Sequence, residues 1–141
     1  MTAIVPMGPE SRSYVLDSWR RSMPKKMRRR RGQTSAHADR QRARLVDSQS
    51  VLVASGNDGA IFGWICFTPL RSTAVVHYIY VRDVFRTGPF GGQKFGRALL
   101  GAAGVDLSTP IPTTLTTPAA RAIAQAKGLR LLEVDASEVL T

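Results

Sequence analysis

The residues best suited to chemistry lie between Tyr80 and Leu100, which read YVRDVFRTGPFGGQKFGRALL. An apolar, strand-like run ends at Val81, four glycines fall among the nine residues Gly88–Gly96, and a helical pattern follows. A strand–glycine loop–helix passage of this kind can hold a phosphate. The first turn of a helix carries N–H donors without intrahelical acceptors, and the positive end of its dipole. Glycine suits the loop because a Cβ would hold an anion off those donors. The same passage can also be a plain surface connection, and both readings stand at this point.

Few other side chains are candidates. His77 is a lone strand histidine, a type that more often satisfies its own structure than acts as a base; it is nonetheless the candidate catalytic residue. Strict alternation along a strand puts His77 on one face with Ile79 and Val81, and Tyr78 and Tyr80 on the other. Asp83 and Glu133 are candidate bases by elimination only. Cys66 sits in the apolar run IFGWICF with nothing nearby to lower a thiol pKa, so it reads as core. Trp19 and Trp64 read as core or half-buried platforms. One cysteine and two histidines provide neither a disulfide framework nor a metal quartet, and no metal is expected.

These residues need elements to position them. Residues 1–9 are short and broken by proline, suggesting an edge strand. Tyr14, Val15, Trp19 and Met23 recur at helical spacing, with Ser11 or Ser13 as cap, and Pro24 ends that helix because it pushes the preceding residue out of the α region. ADRQRARLVDSQ reads as a second short helix. SVLVAS and AIFGWICFTPL flank NDG, a hairpin turn signal, and TAVVHYIYVRD is a further strand. GRALLGAAGVDL reads as helix, IPTTLTT as strand, PAARAIAQAKGL as a helix closing near Gly128, and RLLEVDASEVL as a last strand. Hairpinned strands followed by β–α–β alternation predict a single α/β (α+β) domain over residues 1–141. Its sheet is mixed and mostly antiparallel, with helices packed on it.

Charge is concentrated in one place. The 141-residue chain carries a net +10, yet residues 20–44 alone hold eleven Lys/Arg against one acid, so the remainder is neutral. The basic arm, at about 24–44, contains Lys25, Lys26, Arg28, Arg29, Arg30 and Arg31. Three readings fit it: nucleic-acid phosphates, an acidic protein surface engaged by bidentate arginine, or a solvated loop. Aromatic residues that could stack on bases are absent between Pro24 and Arg44, so the arm does not look like a sequence reader. No apolar run approaches the ~20 residues that span a bilayer, and the N-terminus lacks a signal-peptide pattern, so neither a membrane nor secretion is expected.

The element order and the stretch from Tyr80 resemble the GNAT acyltransferase superfamily. LVASGNDGAIFGWICF is similar to its second and third strands, and VVHYIYV, FR and GRALL to its fourth strand and the next helix. The likeness covers residues 50–132 and extends to residues 11–23 as the first helix. It is close to short phage- and prophage-encoded GNAT-like proteins, with SW-R-S near the start and GWIC followed by HYIYV. The family loop, Q/R-x-x-G-x-G/A, binds the pyrophosphate of acetyl-CoA. The resemblance therefore implies cofactor contacts from Gln93, Lys94, Gly96, Arg97 and Ala98, with the Ile79 and Val81 backbone facing the acyl group.

The sequence departs from that pattern in three ways. Spacing to the double leucine puts Lys94 where the middle glycine belongs, nine residues separate Arg86 from Gly96 with Pro89 among them, and Ala124 stands where the family often has a tyrosine. Two functions follow. One is a scaffold with lapsed chemistry, a structural part of a larger assembly such as a phage virion, its arm on an acidic partner or packaged DNA. The other is an acetyl-CoA-dependent N-acetyltransferase acting on an amine. The departures favour the first, and the intact strand–loop–helix frame keeps the second. The expected location is a virion or the host cytoplasm.

Overall fold

The computed structural model describes residues 3–23, 34–82, 95–117, 120–121, 124–125 and 127–135. Along the chain come β1 (Ala3–Pro6), α1 (Pro9–Ser22), α2 (Ser35–Ser48), β2 (Ser50–Ser55), β3 (Ile61–Pro69), β4 (Ala74–Val81), α3 (Phe95–Ala102), β5 (Ile111–Thr113) and β6 (Leu131–Glu133). Residues 120, 121, 124 and 125 are helical between the last two strands. The six strands form one sheet in chain order. β1 to β4 are antiparallel and β5 and β6 join in parallel, which is the mixed, mostly antiparallel sheet expected.

Period-2 alternation divides the core between the two faces. Val51 and Val53 of β2 and Trp64 and Cys66 of β3 pack with Val15, Trp19 and Met23 of the α1 region and Val46 of α2. Ala54, Ile65 and Phe67 point the other way, toward Leu99 of α3 and Ile111 of β5. Cys66 is fully buried, and burial pushes its thiol pKa up to about 12, which leaves it a core residue without thiolate character.

Local chemistry sets the boundaries. Gly59, at φ +82°, and Asp58, whose Oδ1 accepts from Ala60 N at 3.0 Å, close the NDG hairpin between β2 and β3. α1 starts earlier than its serines suggested. Gly8 is the N-cap and Pro9 opens the helix, where a missing N–H costs nothing. Ser11 sits inside the first turn, with its hydroxyl bonded to both Gly8 N and Gly8 O. Met23 is extended, as a residue before proline should be. α2 is longer than its apolar pattern indicated, because Thr34 Oγ1 caps His37 N at 3.1 Å.

The two helices are tied by Arg12, which grips both carboxylate oxygens of Asp47 at 2.7 and 2.8 Å. Arg42 is buried, 2.6 Å from Asp39 and beside Met23 Sδ. At least one charge of the basic segment therefore serves the fold. Lys25, Lys26 and Arg28–Arg31 lie outside the described residues.

Candidate active site

The site is built on the second half of β4. Arg82 N donates to Phe62 O at 2.9 Å, and antiparallel pairing then alternates back along the strand. Tyr80 and Tyr78 direct their backbone groups to β3, so Ile79 and Val81 direct theirs to the opposite edge. β5 would occupy that edge, but among the described residues it registers with β4 only at Val76↔Thr113, with a bond from Thr114 N to Val76 O at 3.1 Å. Beyond Val76 the two strands part. Burial follows: β4 is buried through His77 and half-buried from Tyr78 to Val81. Among the described residues nothing else pairs with this edge, which presents the N–H and C=O groups of Ile79 and Val81.

The split coincides with a bulge. Phe67 pairs with Val76 and Cys66 with Tyr78, which leaves His77 without a partner on β3. The extra residue reverses the alternation, so Val76 packs with Ile79 and Val81, not with Tyr78 and Tyr80. The face shared by His77, Ile79 and Val81, expected from strict period 2, is therefore corrected. A single-residue insertion in a ladder leaves no mark on the hydrophobic pattern of a short strand.

His77 is 1% exposed. Its Nε2 lies 2.7 Å from Thr68 Oγ1 and its Nδ1 2.8 Å from Thr114 Oγ1. Burial pushes its pKa below the ordinary 6.5, so the ring is neutral at pH 7. Both nitrogens are engaged and neither faces a substrate in this arrangement. Glu133 is two strands from β4 in the sheet, a separation of about 10 Å at ordinary strand spacing. Asp83 lies outside the described residues.

The first turn of α3 meets the end of the open edge. Phe95 is buried with its ring 5.3 Å from that of Phe62, and a Cβ built on Gly96 would sit 3.8 Å from Val81 Cγ2. Gly96 is half-buried and Arg97 and Ala98 are exposed. The N-terminal part of α3 as described, Phe95–Ala98, is thereby held beside Val81. Gln93 and Lys94, and the glycine loop before them, fall outside the described residues.

On the other face, α1 clasps the aromatic residues of β3 and β4. Trp64 Nε1 donates to Ser18 Oγ at 2.8 Å, and Ser18 Oγ in turn donates to Tyr14 O at 2.7 Å. Trp19 stacks on Tyr78 with centroids 5.2 Å apart and planes 9° off parallel, and Tyr78 Oη is 2.9 Å from Ser22 Oγ. The SW-R-S motif is thus the part of α1 that reads GWIC and HYIYV. Burial first, then the hydrogen-bonded Tyr80, hold the Tyr14 phenol above its ordinary 10. It stays protonated at neutral pH. Sequence reasoning missed Thr68, Thr114 and Ser18 as partners, because nothing distinguishes a bonded hydroxyl from a strand-forming threonine or a helix serine.

Ala124, at the position where the resemblance expects a tyrosine, is buried. It helps line a cleft of about 390 Å³ with Thr116, Arg121, Leu131 and Glu133. Among the described residues no cluster of three metal-ligating side chains occurs, and no helix is long and apolar enough to cross a membrane.

No family model and no curated protein matches the sequence. Solved structures do match. Apo-form YjaB from Escherichia coli shares 15% identity at a TM-score of 0.58, over 90% of this chain and 80% of that one. A possible acetyltransferase from Clostridium difficile 630 gives 9% identity and 0.58, over 96% and 94%. The aminoglycoside N-acetyltransferase AAC(6')-Iy, solved in complex with CoA, gives 13% and 0.55, over 95% and 91%. The chain therefore has the GNAT-like fold that the sequence resembled, and its structural neighbours include acetyltransferases.

Proposed function

We propose that this chain is an acyltransferase that takes the acetyl group of acetyl-CoA to an amine. The observation that carries this reading is the open β4 edge at Ile79 and Val81, held beside the N-terminal turn of α3. Backbone groups left unpaired at the surface of a sheet favour a ligand that can complete them. A thioester carbonyl and the amides of a pantetheine arm have that chemistry. The pyrophosphate would take the N–H groups of the α3 first turn at Gly96, Arg97 and Ala98, with Gln93 and Lys94 leading into it.

In the reaction the amine nitrogen attacks the thioester carbon, the C–S bond breaks, and the thiolate leaves with a proton that the amine gives up. Donors fixed in the folded protein can stabilise the oxyanion that forms, because they need no reorganisation. Asp83, two residues beyond Val81 in the chain, is our candidate for the group that first takes the amine proton.

Titration calorimetry with acetyl-CoA tests the reading. A Kd of about 1 μM, roughly −8 kcal/mol, is expected. Gly96→Val should weaken it by about a hundredfold or more, because branched carbons would stand between the phosphate and the N–H donors. The melting temperature should change little, since the added Cβ makes only an ordinary contact with Val81. No heat at millimolar acetyl-CoA would overturn the proposal.

A second reading rests on the charge. We propose that the arm of residues 24–44 holds the chain to an acidic protein surface or to nucleic-acid phosphates, as a component of a phage-type assembly. Arg28–Arg31 changed together to alanine should release that partner. The loss should shrink as salt rises, because screening already weakens the wild-type contact. Co-sedimentation with DNA and with an acidic polypeptide, each at two salt concentrations, measures it; retention unchanged by the four substitutions makes the arm a bystander.

A further inference from the structure

We propose that His77 is a positioning residue that fixes where β4 and β5 part, and so sets the opening at Ile79 and Val81. The importance of that opening to acetyl-CoA rests on the function proposed above; the fixing of the strands does not.

With the Gln49 carbonyl oxygen placed toward Thr68, the hydrogen bonds around His77 run in one direction. Gln49 Oε1 can only accept, so the Thr68 hydroxyl donates to it at 2.6 Å, while the Gln49 amide N–H₂ donates to Ser48 Oγ at 3.2 Å. Having spent its proton there, Thr68 Oγ1 must accept from His77 Nε2 at 2.7 Å. The neutral ring then carries its proton on Nε2, and its bare Nδ1 accepts from the Thr114 hydroxyl at 2.8 Å. One tautomer satisfies every member of the chain.

The chain runs from the C-cap of α2, Gln49, across β3 and the β4 bulge to Thr114, the residue just after β5. It arrives where the backbone is thinnest. Among the described residues, β4 and β5 are paired only through Val76, Thr113 and Thr114. Thr114 is thus held twice, by its N–H on Val76 O and by its hydroxyl on His77 Nδ1. The first bond fixes its backbone and the second its rotamer. Together they fix the direction in which the chain leaves β4. A paired polar chain centred on a buried ring is rigid, because breaking either ring bond strands a nitrogen of His77 away from water.

Two substitutions separate the arms of the ring. The asparagine carbonyl in His77→Asn falls near the Nδ1 position and keeps the bond to Thr114. The glutamine amide in His77→Gln reaches the Nε2 position and keeps the bond to Thr68. Each loses one part-buried hydrogen bond of the same ring, so both should lose similar stability. The expected difference is local. In His77→Gln, amide hydrogen exchange at Thr114 should speed up by about tenfold or more, the equivalent of one lost hydrogen bond, with Ile65 in the core unchanged. In His77→Asn it should stay near the wild-type rate.

Acetyl-CoA affinity should follow the same split, falling about tenfold in His77→Gln only. The ¹⁵N shifts of wild-type His77 should report an Nε2–H tautomer. If either histidine variant fails to fold, Thr114→Val and Thr114→Ser replace it, the first reproducing the glutamine effect and the second restoring wild-type exchange. Equal exchange at Thr114 in the Asn and Gln variants, or an Nδ1–H tautomer, overturns the proposal. Wild type that binds no acetyl-CoA, with the exchange pattern intact, overturns the acyltransferase reading and leaves the positioning role standing.

Discussion

Gly63→Ala is expected to destabilise the fold by about 3 kcal/mol, at the upper end for a single added methyl group in a packed core. A Cβ at this position would run into the Tyr80 carbonyl oxygen, with the Val81 Cα at 3.2 Å and Leu99 Cδ1 at 3.4 Å behind it. The obstacle is backbone rather than a side chain able to change rotamer. By the same alternation that turns Ile79 outward, that carbonyl is the acceptor for Trp64 N, so it cannot swing away without breaking the ladder. The strands must separate instead, and their separation moves Val81, which faces Gly63 directly. Urea unfolding of the alanine variant measures the loss, and a shift below about 1 kcal/mol would mean that β3 and β4 yield here at little cost.

Trp64→Ala is expected to cost about 3–5 kcal/mol, the range for removing a fully buried aromatic side chain. Trp64 has no exposed surface and packs against Trp19, Tyr78 and Tyr80, with centroids at 5.6, 5.7 and 6.2 Å. Its hydrogen bond to Ser18 makes the two residues one unit. Ser18→Ala alone should cost about 1–3 kcal/mol, because it strands the buried indole N–H. Made on top of Trp64→Ala, the same change should cost much less, since no N–H remains to strand. Equilibrium unfolding of the four proteins gives the coupling directly. Additive losses would show that Ser18 serves the helix rather than the tryptophan.

The antiparallel half of the fold was legible because its signals are local. NDG closes where asparagine, aspartate and glycine permit a tight turn, and SVLVAS and IFGWICF alternate cleanly into two clusters. Pro24 stops α1 as steric exclusion requires. Less was legible where side chains stand in for backbone. IPTTLTT reads as one strand, yet pairing ends at Thr113, and the next residue turns its hydroxyl to His77. RLLEVDASEVL contributes only Leu131–Glu133 within the described residues. The bulge was hidden because it depends on a register between two strands and not on either strand's own pattern. The site was read in outline for the same reason: the turn of α3 follows from the local sequence Phe95–Ala98, while the opening of β4 is set by a threonine thirty-seven residues away from His77.

The narrow seam between β4 and β5 has a thermodynamic consequence. Among the described residues, strands β1 to β4 are each paired with their sequence neighbours, while β5 and β6 join them through backbone pairing at Val76, Thr113 and Thr114, the His77–Thr114 hydrogen bond and side-chain packing around Ile111. Such a molecule approximates two cooperative units with a weak joint, the second able to detach before the first melts. A ligand seated in the gap would touch both units and act as a staple across the joint. Saturation and resistance to unfolding are then linked by mass action: what fills the seam also holds the halves together.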